Sequence, residues 1–332
     1  MIFNNLRIFV ITLLLTISSN QFFAQSPQDA ISVKGYMKRI TKDLGSDAME
    51  QRVLGSKQLT TTANYLSDEF QNIGLLPITG FQKYLDPFTI NLRARLDTAY
   101  NVVGMVKGSE LSSEYIIISA HFDVNDNVTS VITDGKTVDI SSEMIKLTGA
   151  NDNASGVAMM LALAKLLIVD SVKPKRSVIF IAFSGQDLNN RGAEHFLNLF
   201  TNKSVLKFNI NFDAVGLPED KKLYFTGSKW SSFIPNMMKS EPKKNQSKIV
   251  LFEPLDNNSN EQSYVLGLSE QFSEHKVFEQ NSIPTSTFTT SSLTSMYRDK
   301  TNESNRLNYS FMSHTAAILY QAIKPLLLQE IF

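Results

Sequence analysis

The sequence predicts an α/β protein of three layers, in which helices cover both faces of a mostly parallel central sheet. Short apolar runs rich in β-branched residues, such as 115–120 and 177–184, alternate with segments of helical apolar spacing, such as 154–169. Strands that alternate with helices along a chain are typical of such sheets. A strand that is apolar throughout is typical of a sheet buried on both sides.

The composition excludes several classes of protein. The chain has 332 residues, of which 42% are hydrophobic, and its 32 basic residues balance 32 acidic residues. This balance excludes a strongly basic nucleic-acid binder, so we expect no nucleic acid among the partners. The chain has no cysteine, which excludes disulfides, thiolate metal sites and a cysteine nucleophile. Any metal site would therefore need His, Asp and Glu ligands.

The first 24 residues predict an export signal. Arg7 is the only charged side chain before a largely apolar run at 8–15, and the small residue Ala24 stands at the expected cleavage point. The alternative interpretation is a buried N-terminal helix. We expect a single mature domain over 25–332 that is secreted or periplasmic. Because we find no other stretch long enough to span a bilayer, we expect no membrane association after signal cleavage.

The elements follow in order along the mature chain. Residues 25–80 predict a helical N-terminal cap, with helical spacing over 32–75 and a stop at Gly74. A polar insertion at 124–148 carries a hairpin signal at Asp134-Gly135. The remaining predicted strands lie at 100–106, 115–120, 177–184, 208–215 and 282–289, and the remaining predicted helices at 154–169 and 193–200.

Polar residues that can bind metals follow four of the predicted strands. They are His121 with Asp123, Gln186 with Asp187, Asp213, and the loop that leads to Tyr297 and Arg298. Because ligands of open α/β sheets bind outside the carboxyl ends of the strands, we expect these clusters to converge. Asp152 at the start of the 154–169 helix joins them. Its alternative role is that of an ordinary helix N-cap.

Five motifs occur in a specific order. They are AHFD at 120–123, GANDNASG at 149–156, FSGQDLNNRGAEHF at 183–196, NFDAVG at 211–216 and SEHKVFEQNSIP at 273–284. Together with 51–57 and 98–109, they resemble the secreted co-catalytic two-zinc aminopeptidases, an exopeptidase family whose fold is shared with animal glutaminyl cyclases. The resemblance covers about residues 33–325. It implies a zinc-exopeptidase-like fold, zinc as cofactor, peptide-bond hydrolysis, and peptides or protein N-termini as partners.

The resemblance also implies a metal-ligand set. In that family two zinc ions share one bridging Asp, and each ion has two further ligands. Carried over to this sequence, the first zinc would be held by His121, Asp213 and the bridging Asp152. Asp123 would orient His121 through its other ring nitrogen. The alternative is that His121 is a hydrogen-bonded histidine at the rim of the sheet.

The second half of the site departs from the family. Gln186 takes the position of the general base, and a neutral amide cannot accept a proton. Asp187 takes a ligand position but reaches about 1.5 Å less far than a Glu, which a zinc–oxygen bond of about 2.0–2.2 Å tolerates poorly. Arg298 takes the position of a histidine ligand and cannot lose its proton to bind metal. We therefore expect at most one zinc ion.

Two roles remain open for Arg298. Its charge could replace the second zinc beside Asp152 and Asp187, or it points to solvent and the second site is simply absent. By resemblance, His275 and Arg298 line the substrate pocket, and the Tyr297 hydroxyl polarises the substrate carbonyl.

Two further residues bear on this site. Thr290 replaces a glycine in the wall of the pocket. His314 falls within the last predicted helix, where we expect a packed or exposed side chain rather than a ligand.

These observations favour a secreted aminopeptidase-like protein with weakened or lost activity. One alternative is an active one-zinc aminopeptidase with a replacement base such as Asp187. Another is a non-catalytic module that binds peptides. A further alternative is a purely structural module of the same fold, which would bind neither metal nor peptide. A glutaminyl cyclase is a weaker interpretation, because Arg298 replaces one of its single zinc's ligands.

Overall fold

The computed structural model describes most of the predicted domain. The described ranges are 27–92, 95–124, 130–133, 136–139, 148–218, 222–227, 251–254, 273–290 and 304–329. The predicted export signal at 1–24 lies outside them, as do two predicted site residues, Tyr297 and Arg298.

The α-helices of the described ranges number six. They are α1 (Pro27–Leu44), α2 (Lys57–Ile73), α3 (Gly156–Val169), α4 (Arg191–Asn198), α5 (His275–Gln280) and α6 (Tyr309–Leu328). The prediction of one helical stretch over 32–75 was wrong, because a turn segment separates α1 from α2. Ser56 caps α2 by accepting a hydrogen bond from the Leu59 N–H at 3.0 Å. Gly74 ends α2 at φ 94°, as its position predicted.

The strands form one large sheet and one hairpin. They are β1 (Leu76–Pro77), β2 (Leu85–Leu92), β3 (Arg95–Val106), β4 (Leu111–His121), β5 (Ser130–Thr133), β6 (Lys136–Asp139), β7 (Arg176–Phe183), β8 (Leu206–Phe212), β9 (Lys222–Gly227), β10 (Leu251–Pro254) and β11 (Thr285–Thr289). Within the described residues the large sheet has the order β1-β3-β7-β4-β8-β11-β9-β10, with β2 also paired to β3.

The mostly parallel sheet predicted from the sequence is confirmed at its centre. Strands β7, β4, β8 and β11 are neighbours and run parallel. The edges are mixed, because β3 is antiparallel to β7, and β9 is antiparallel to β11. The predicted strands correspond to β3, β4, β7, β8 and β11. Sequence reasoning missed β2, β9, β10 and the two-residue strand β1.

Two cores on opposite faces of the sheet confirm the three layers. Along β4, Ile116 and Ile118 face one core together with the buried side chains of α1, α2, α3 and α6. Ile117 faces the other core, which includes Phe196 of α4 and Phe278 of α5. This alternation has the period of two that a strand imposes. The two helical layers explain why every residue of β7 is buried.

One segment is long and apolar enough to cross a membrane by length and composition alone. It is the 20-residue stretch Ala150–Val169, which consists of α3 and the turn before it, so the expectation that no such stretch follows the signal was wrong. The fold explains why this segment is apolar, since 83% of an 18-residue window within it is buried inside the protein. Neighbouring residues such as Ala158, Met159 and Met160 are all fully buried. A core helix between the sheet and other helices has the same composition.

The hairpin predicted within the polar insertion is confirmed. β5 and β6 pair antiparallel, and the pair nearest the predicted turn is Thr133 with Lys136. Residues 134–135 lie outside the described residues, as do 125–129 and 140–147.

Glu114 joins three neighbouring strands near their amino ends. Its carboxylate lies on β4, and it accepts a hydrogen bond from Arg176 Nε of β7 at 2.7 Å. Lys207 Nζ of β8 lies 3.2 Å from the other carboxylate oxygen. Burial raises the pKa of Glu114, but the two cations outweigh this effect, and the net pKa lies below its ordinary value.

We expect Glu114→Gln to lower the free energy of unfolding at pH 7 by about 1 kcal/mol. A carboxylate with a lowered pKa stabilises the fold above its unfolded-state pKa, and this stabilisation disappears as the carboxylate is protonated. The difference between variant and wild type should therefore shrink as the pH falls below 4.5. Urea denaturation at pH 7 and pH 3 measures it.

The control is Glu110→Gln, which removes an ion pair of a more exposed carboxylate with Lys175 at 3.0 Å. Its effect should stay within about 0.5 kcal/mol at both pH values. A loss at Glu114 that is the same at pH 3 as at pH 7 would contradict the electrostatic explanation.

Candidate metal centre

The structure brings together the three predicted ligands of the first zinc. His121 ends β4, Asp213 directly follows the neighbouring strand β8, and Asp152 lies in the turn before α3. The ligand atoms of all three side chains lie within 4.8 Å of one another. His121 Nε2 is 3.1 Å from Asp152 Oδ1 and 3.6 Å from Asp213 Oδ1. All three residues are buried.

The chemistry of this group fits a metal ion. His121 Nε2 is buried and faces the carboxylates of Asp152 and Asp213. Among the described residues, neither contact has the geometry of a hydrogen bond. Burial raises the pKa of Asp213, and the neighbouring charge of Asp152 raises it further. Burial would lower the pKa of His121, but the surrounding carboxylates outweigh it and raise that pKa. A divalent cation among these three side chains would neutralise the two carboxylates, and zinc binds imidazole nitrogen and carboxylate oxygen.

Polar side chains of the segment 149–156 hold Asp152 against the segment that carries Asp213. Their hydrogen bonds run from Gly216 N–H to Asn151 Oδ1 at 2.7 Å, from Ala214 N–H to Asn153 Oδ1 at 3.0 Å, from Asn153 Nδ2 to the Phe212 carbonyl at 2.8 Å, and from Val215 N–H to Ser155 Oγ at 2.9 Å. The polar residues around Asp152 therefore bind the neighbouring backbone and fix the turn on which Asp152 lies.

The turn itself explains why Asp152 is not an ordinary N-cap. Asp152 has non-helical angles (φ −115°, ψ 94°), and the residue that precedes α3 is Ser155. Gly156 begins the helix where a Cβ atom would lie 2.5 Å from the Phe212 carbonyl oxygen. The close approach of the turn to β8 thus requires glycine at this position.

Asp123 faces His121 Nδ1, the ring nitrogen named by the prediction, with two of its oxygen atoms. The backbone carbonyl lies 3.2 Å from Nδ1, and the carboxylate Oδ1 lies 3.5 Å away. The carbonyl is thus the nearer of the two groups. The other carboxylate oxygen, Oδ2, accepts hydrogen bonds from the backbone N–H groups of Gly185 at 2.7 Å and Gln186 at 3.2 Å. A backbone carbonyl orients a ligating histidine equally well.

The loop that Asp123 holds carries the two residues at which the chain departs from the family. Gln186 is buried and begins a single 3₁₀ turn, Gln186–Leu188. Asp187 is half-buried and does not belong to the group of mutually close ligand atoms. The prediction that Asp187 is a metal ligand therefore gains no support from the group of close ligand atoms.

Glu274 is a buried acid close to the metal group, and His275, which follows it along the chain, is buried as well. Both side chains are about 1% exposed, and neither forms a hydrogen bond with another described residue. Burial raises the pKa of Glu274 to about 8, an effect that His121 opposes and Asp213 reinforces. Burial also lowers the pKa of His275 to about 3. Sequence reasoning placed His275 at the substrate pocket but gave Glu274 no separate role.

A chain of buried polar side chains reaches the metal group from within the sheet. Ser119 Oγ lies 3.0 Å from Asn209 Oδ1 and 2.9 Å from Asn211 Oδ1. Asn211 Nδ2 donates to Ser273 Oγ at 3.1 Å, and Ser273 in turn lowers the pKa of Asp213. Sequence reasoning missed this network, because asparagine and serine within apolar strands give no sign of which neighbours they face.

The remaining predicted residues lie around or away from the group. Thr290 is buried, and its hydroxyl donates to the carbonyl of Ala214 at 2.6 Å, which fixes the end of β11 next to Asp213. His314 is exposed on α6, in agreement with its predicted non-ligand role. Tyr297 and Arg298 lie outside the described residues.

The sequence is similar to known proteins over part of its length. The family described as "Peptidase family M28" matches residues 101–323. A probable zinc metalloprotease of Pyrenophora teres f. teres is 34% identical over 116 residues, which are 35% of this chain and 22% of that protein. Aminopeptidase YwaD of Bacillus subtilis is 29% identical over 137 residues, which are 40% of this chain and 26% of that protein. The matched stretch thus spans about a quarter of these curated relatives.

The similarity in structure is wider. The structure of BSAP, a zinc aminopeptidase from Bacillus subtilis, superposes with a TM-score of 0.64 and covers 90% of this chain and 95% of that chain. The two sequences are 14% identical. This comparison shows a shared fold that includes the N-terminal part outside the family match.

We expect Asn153→Ala to lower the free energy of unfolding by about 2–4 kcal/mol. Its side chain satisfies the N–H group of Ala214 and the carbonyl of Phe212, both of which are buried and would lose this partner. Urea denaturation followed by circular dichroism measures the loss. Asn64→Ala is the control, since Asn64 is exposed on α2 and donates only to the Thr60 carbonyl. A similar loss for both variants would contradict the role assigned to Asn153.

Proposed function

The chain belongs to peptidase family M28, and from this premise we propose that it is a secreted, zinc-binding aminopeptidase-like protein with weakened or lost hydrolytic activity. One observation supports this proposal above all. A buried His–Asp–Asp group suited to zinc stands next to a loop whose base position is the neutral Gln186. The site keeps the residues that hold a metal and lacks the residue that would move a proton.

His121, Asp152 and Asp213 would hold one zinc ion. When bound, zinc lowers the pKa of water and polarises a substrate carbonyl. Three protein ligands leave an open coordination position, as in other catalytic zinc sites. The chain's own part is to keep the imidazole oriented through the Asp123 carbonyl and to keep both carboxylates buried and close to it.

The missing step is proton transfer. A peptidase needs a group that takes a proton from the nucleophilic water and gives it to the leaving amine, and such a group contributes about 10²–10⁴-fold to the rate. The amide of Gln186 cannot accept that proton. Asp187 is too short for the family's second metal position, and Arg298 replaces the last ligand there. We propose that the protein binds peptides or protein N-termini and releases most of them uncut.

A second candidate function is that of an active one-zinc aminopeptidase. The observation that favours it is Glu274, a buried carboxylate close enough to His121 and Asp213 to interact with both electrostatically. Glu274 or Asp187 would then have to serve as the base in place of Gln186. In this case activity would depend on one of these carboxylates.

The test is hydrolysis of a panel of aminoacyl chromogenic substrates by residues 25–332 with added zinc. We expect the wild type to differ little from His121→Ala, and Gln186→Glu to be at least about 10²-fold faster than the wild type. Wild-type turnover far above His121→Ala would contradict the loss of activity and favour the second candidate. Glu274→Gln and Asp187→Asn would then show which carboxylate acts as the base.

Export is a separate part of the proposal. The sequence at 1–24 supports it through Arg7, the apolar run at 8–15 and the small residue Ala24. We expect the protein, expressed with its full N-terminus in a Gram-negative bacterium, to be recovered from the periplasm or medium with Gln25 as its first residue. N-terminal sequencing measures this. Recovery of the uncut chain in the cytoplasm would contradict it.

A further inference from the structure

Arg52 is a fully buried arginine whose hydrogen bonds, within the described part of the chain, all go to backbone carbonyls. Its guanidinium donates hydrogen bonds to four carbonyls, those of Phe122, Leu44 at 2.9 Å, Thr148 at 2.9 Å and Gly149 at 2.8 Å. Among the described residues it forms no ion pair with a carboxylate at hydrogen-bonding distance. Four bonds from one planar fork fix the relative positions of three separate chain segments.

These segments include two that carry metal ligands. Phe122 lies between His121 and Asp123 at the end of β4, and the backbone N–H of Val124 donates back to the Arg52 carbonyl at 3.3 Å. Thr148 and Gly149 begin the turn that carries Asp152. Arg52 therefore joins the chain where it leaves β4 to the chain where it returns from the polar insertion.

This tie spans the third side of the ligand triangle through the backbone. His121 and Asp213 are fixed by the pairing of β4 with β8, and Asp152 is fixed to the Asp213 segment by the side chains of Asn151 and Asn153. Besides the contact of His121 with Asp152 itself, Arg52 joins the two segments by binding backbone carbonyls on both of them.

Gly149 gives independent support for a close fit at this point. A Cβ atom on Gly149 would lie 2.6 Å from Arg52 Nη2 and 2.5 Å from Val124 Cγ2, and the residue has φ 58°. The backbone therefore approaches the guanidinium so closely that a side chain at 149 would displace it.

The charge of Arg52 also suits the site. Burial lowers the pKa of Arg52 to about 10, while Asp123 and Asp152 oppose that shift, so the guanidinium stays charged at neutral pH. A buried charge is costly, and an apolar residue of similar size often stabilises a core as well. Packing alone would therefore not require an arginine at position 52. Binding four backbone carbonyls at once does require its several N–H donors.

We infer that Arg52 is a positioning residue for the metal centre, which sets the spacing of His121 and Asp152 and thereby the affinity and geometry of the bound metal. The inference rests on the proposed zinc site. It concerns a residue that touches neither metal nor substrate and acts through the backbone of its neighbours.

The experiment compares the full mature chain with Arg52→Met and Arg52→Lys. Zinc affinity is measured by competition with a chromophoric chelator, and cobalt(II) replaces zinc for visible absorption spectra. We expect Arg52→Met to bind zinc about 10–100-fold more weakly, as is usual when groups that orient ligands are removed. Its cobalt spectrum should change. Arg52→Lys, which keeps the charge but not the planar fork, should recover only part of the affinity.

Two further variants separate positioning from stability. Leu66→Ala removes a fully buried side chain of α2 and should lower the denaturation midpoint without changing zinc affinity or the cobalt spectrum. Gly149→Ala disturbs the same contact while keeping Arg52, and should weaken zinc binding and alter the spectrum. It also provides the test if both Arg52 variants fail to fold.

The outcomes distinguish the two proposals. If Arg52 and Gly149 variants lose stability as Leu66→Ala does but keep wild-type zinc affinity and cobalt spectrum, Arg52 has only a structural role and the inference is wrong. If the wild type itself binds no zinc, the proposed zinc site fails and the inference fails with it.

Discussion

The burial of two carboxylates beside one imidazole is the constraint on which the rest of this site depends. Removing a carboxylate from water costs several kcal/mol, and two of them close together repel each other. Asp152 and Asp213 are nevertheless both buried near His121. The pairing of β4 with β8 and the hydrogen bonds around Asp152 hold the two carboxylates in place. A cation between the carboxylates would offset their repulsion. The arrangement therefore has to be rigid before a metal binds, since flexible carboxylates would turn outward to solvent.

Most of the polar residues near the site serve this rigidity rather than the chemistry. Asn151, Asn153 and Ser155 bind backbone groups beside Asp213, and Arg52 binds carbonyls beside His121. The residue that would move protons stands elsewhere, on the loop held by Asp123. Because different residues provide the scaffold and the proton transfer, a chain can keep the group of His121, Asp152 and Asp213 while position 186 is a glutamine.

The sequence predicted the centre of the fold better than its edges. Strands β4 and β7 are apolar on both faces and give a clear signal, whereas β2 alternates polar and apolar residues and contains Pro87. At the site, the resemblance predicted that His121, Asp152 and Asp213 lie together, and the structure brings their ligand atoms within 4.8 Å of one another. The burial of Glu274 and the contacts of Arg52 were not predictable, because a charged residue gives no local signal of tertiary burial. The atom of Asp123 that orients His121 likewise depends on the path of the Gly185 loop, which no spacing in the sequence encodes.

The charges of the site agree with the proposal of a single zinc ion. Asp152 and Asp213 together carry the two negative charges that one divalent ion neutralises, with His121 neutral as a ligand. Burial raises the pKa of Glu274, a further acid close to them. In the other half of the site, the positions that carry two glutamates and a histidine in the family carry Gln186, Asp187 and Arg298 here. This exchange removes one negative charge and adds a permanent positive charge, so a second divalent ion would find less negative charge to neutralise there.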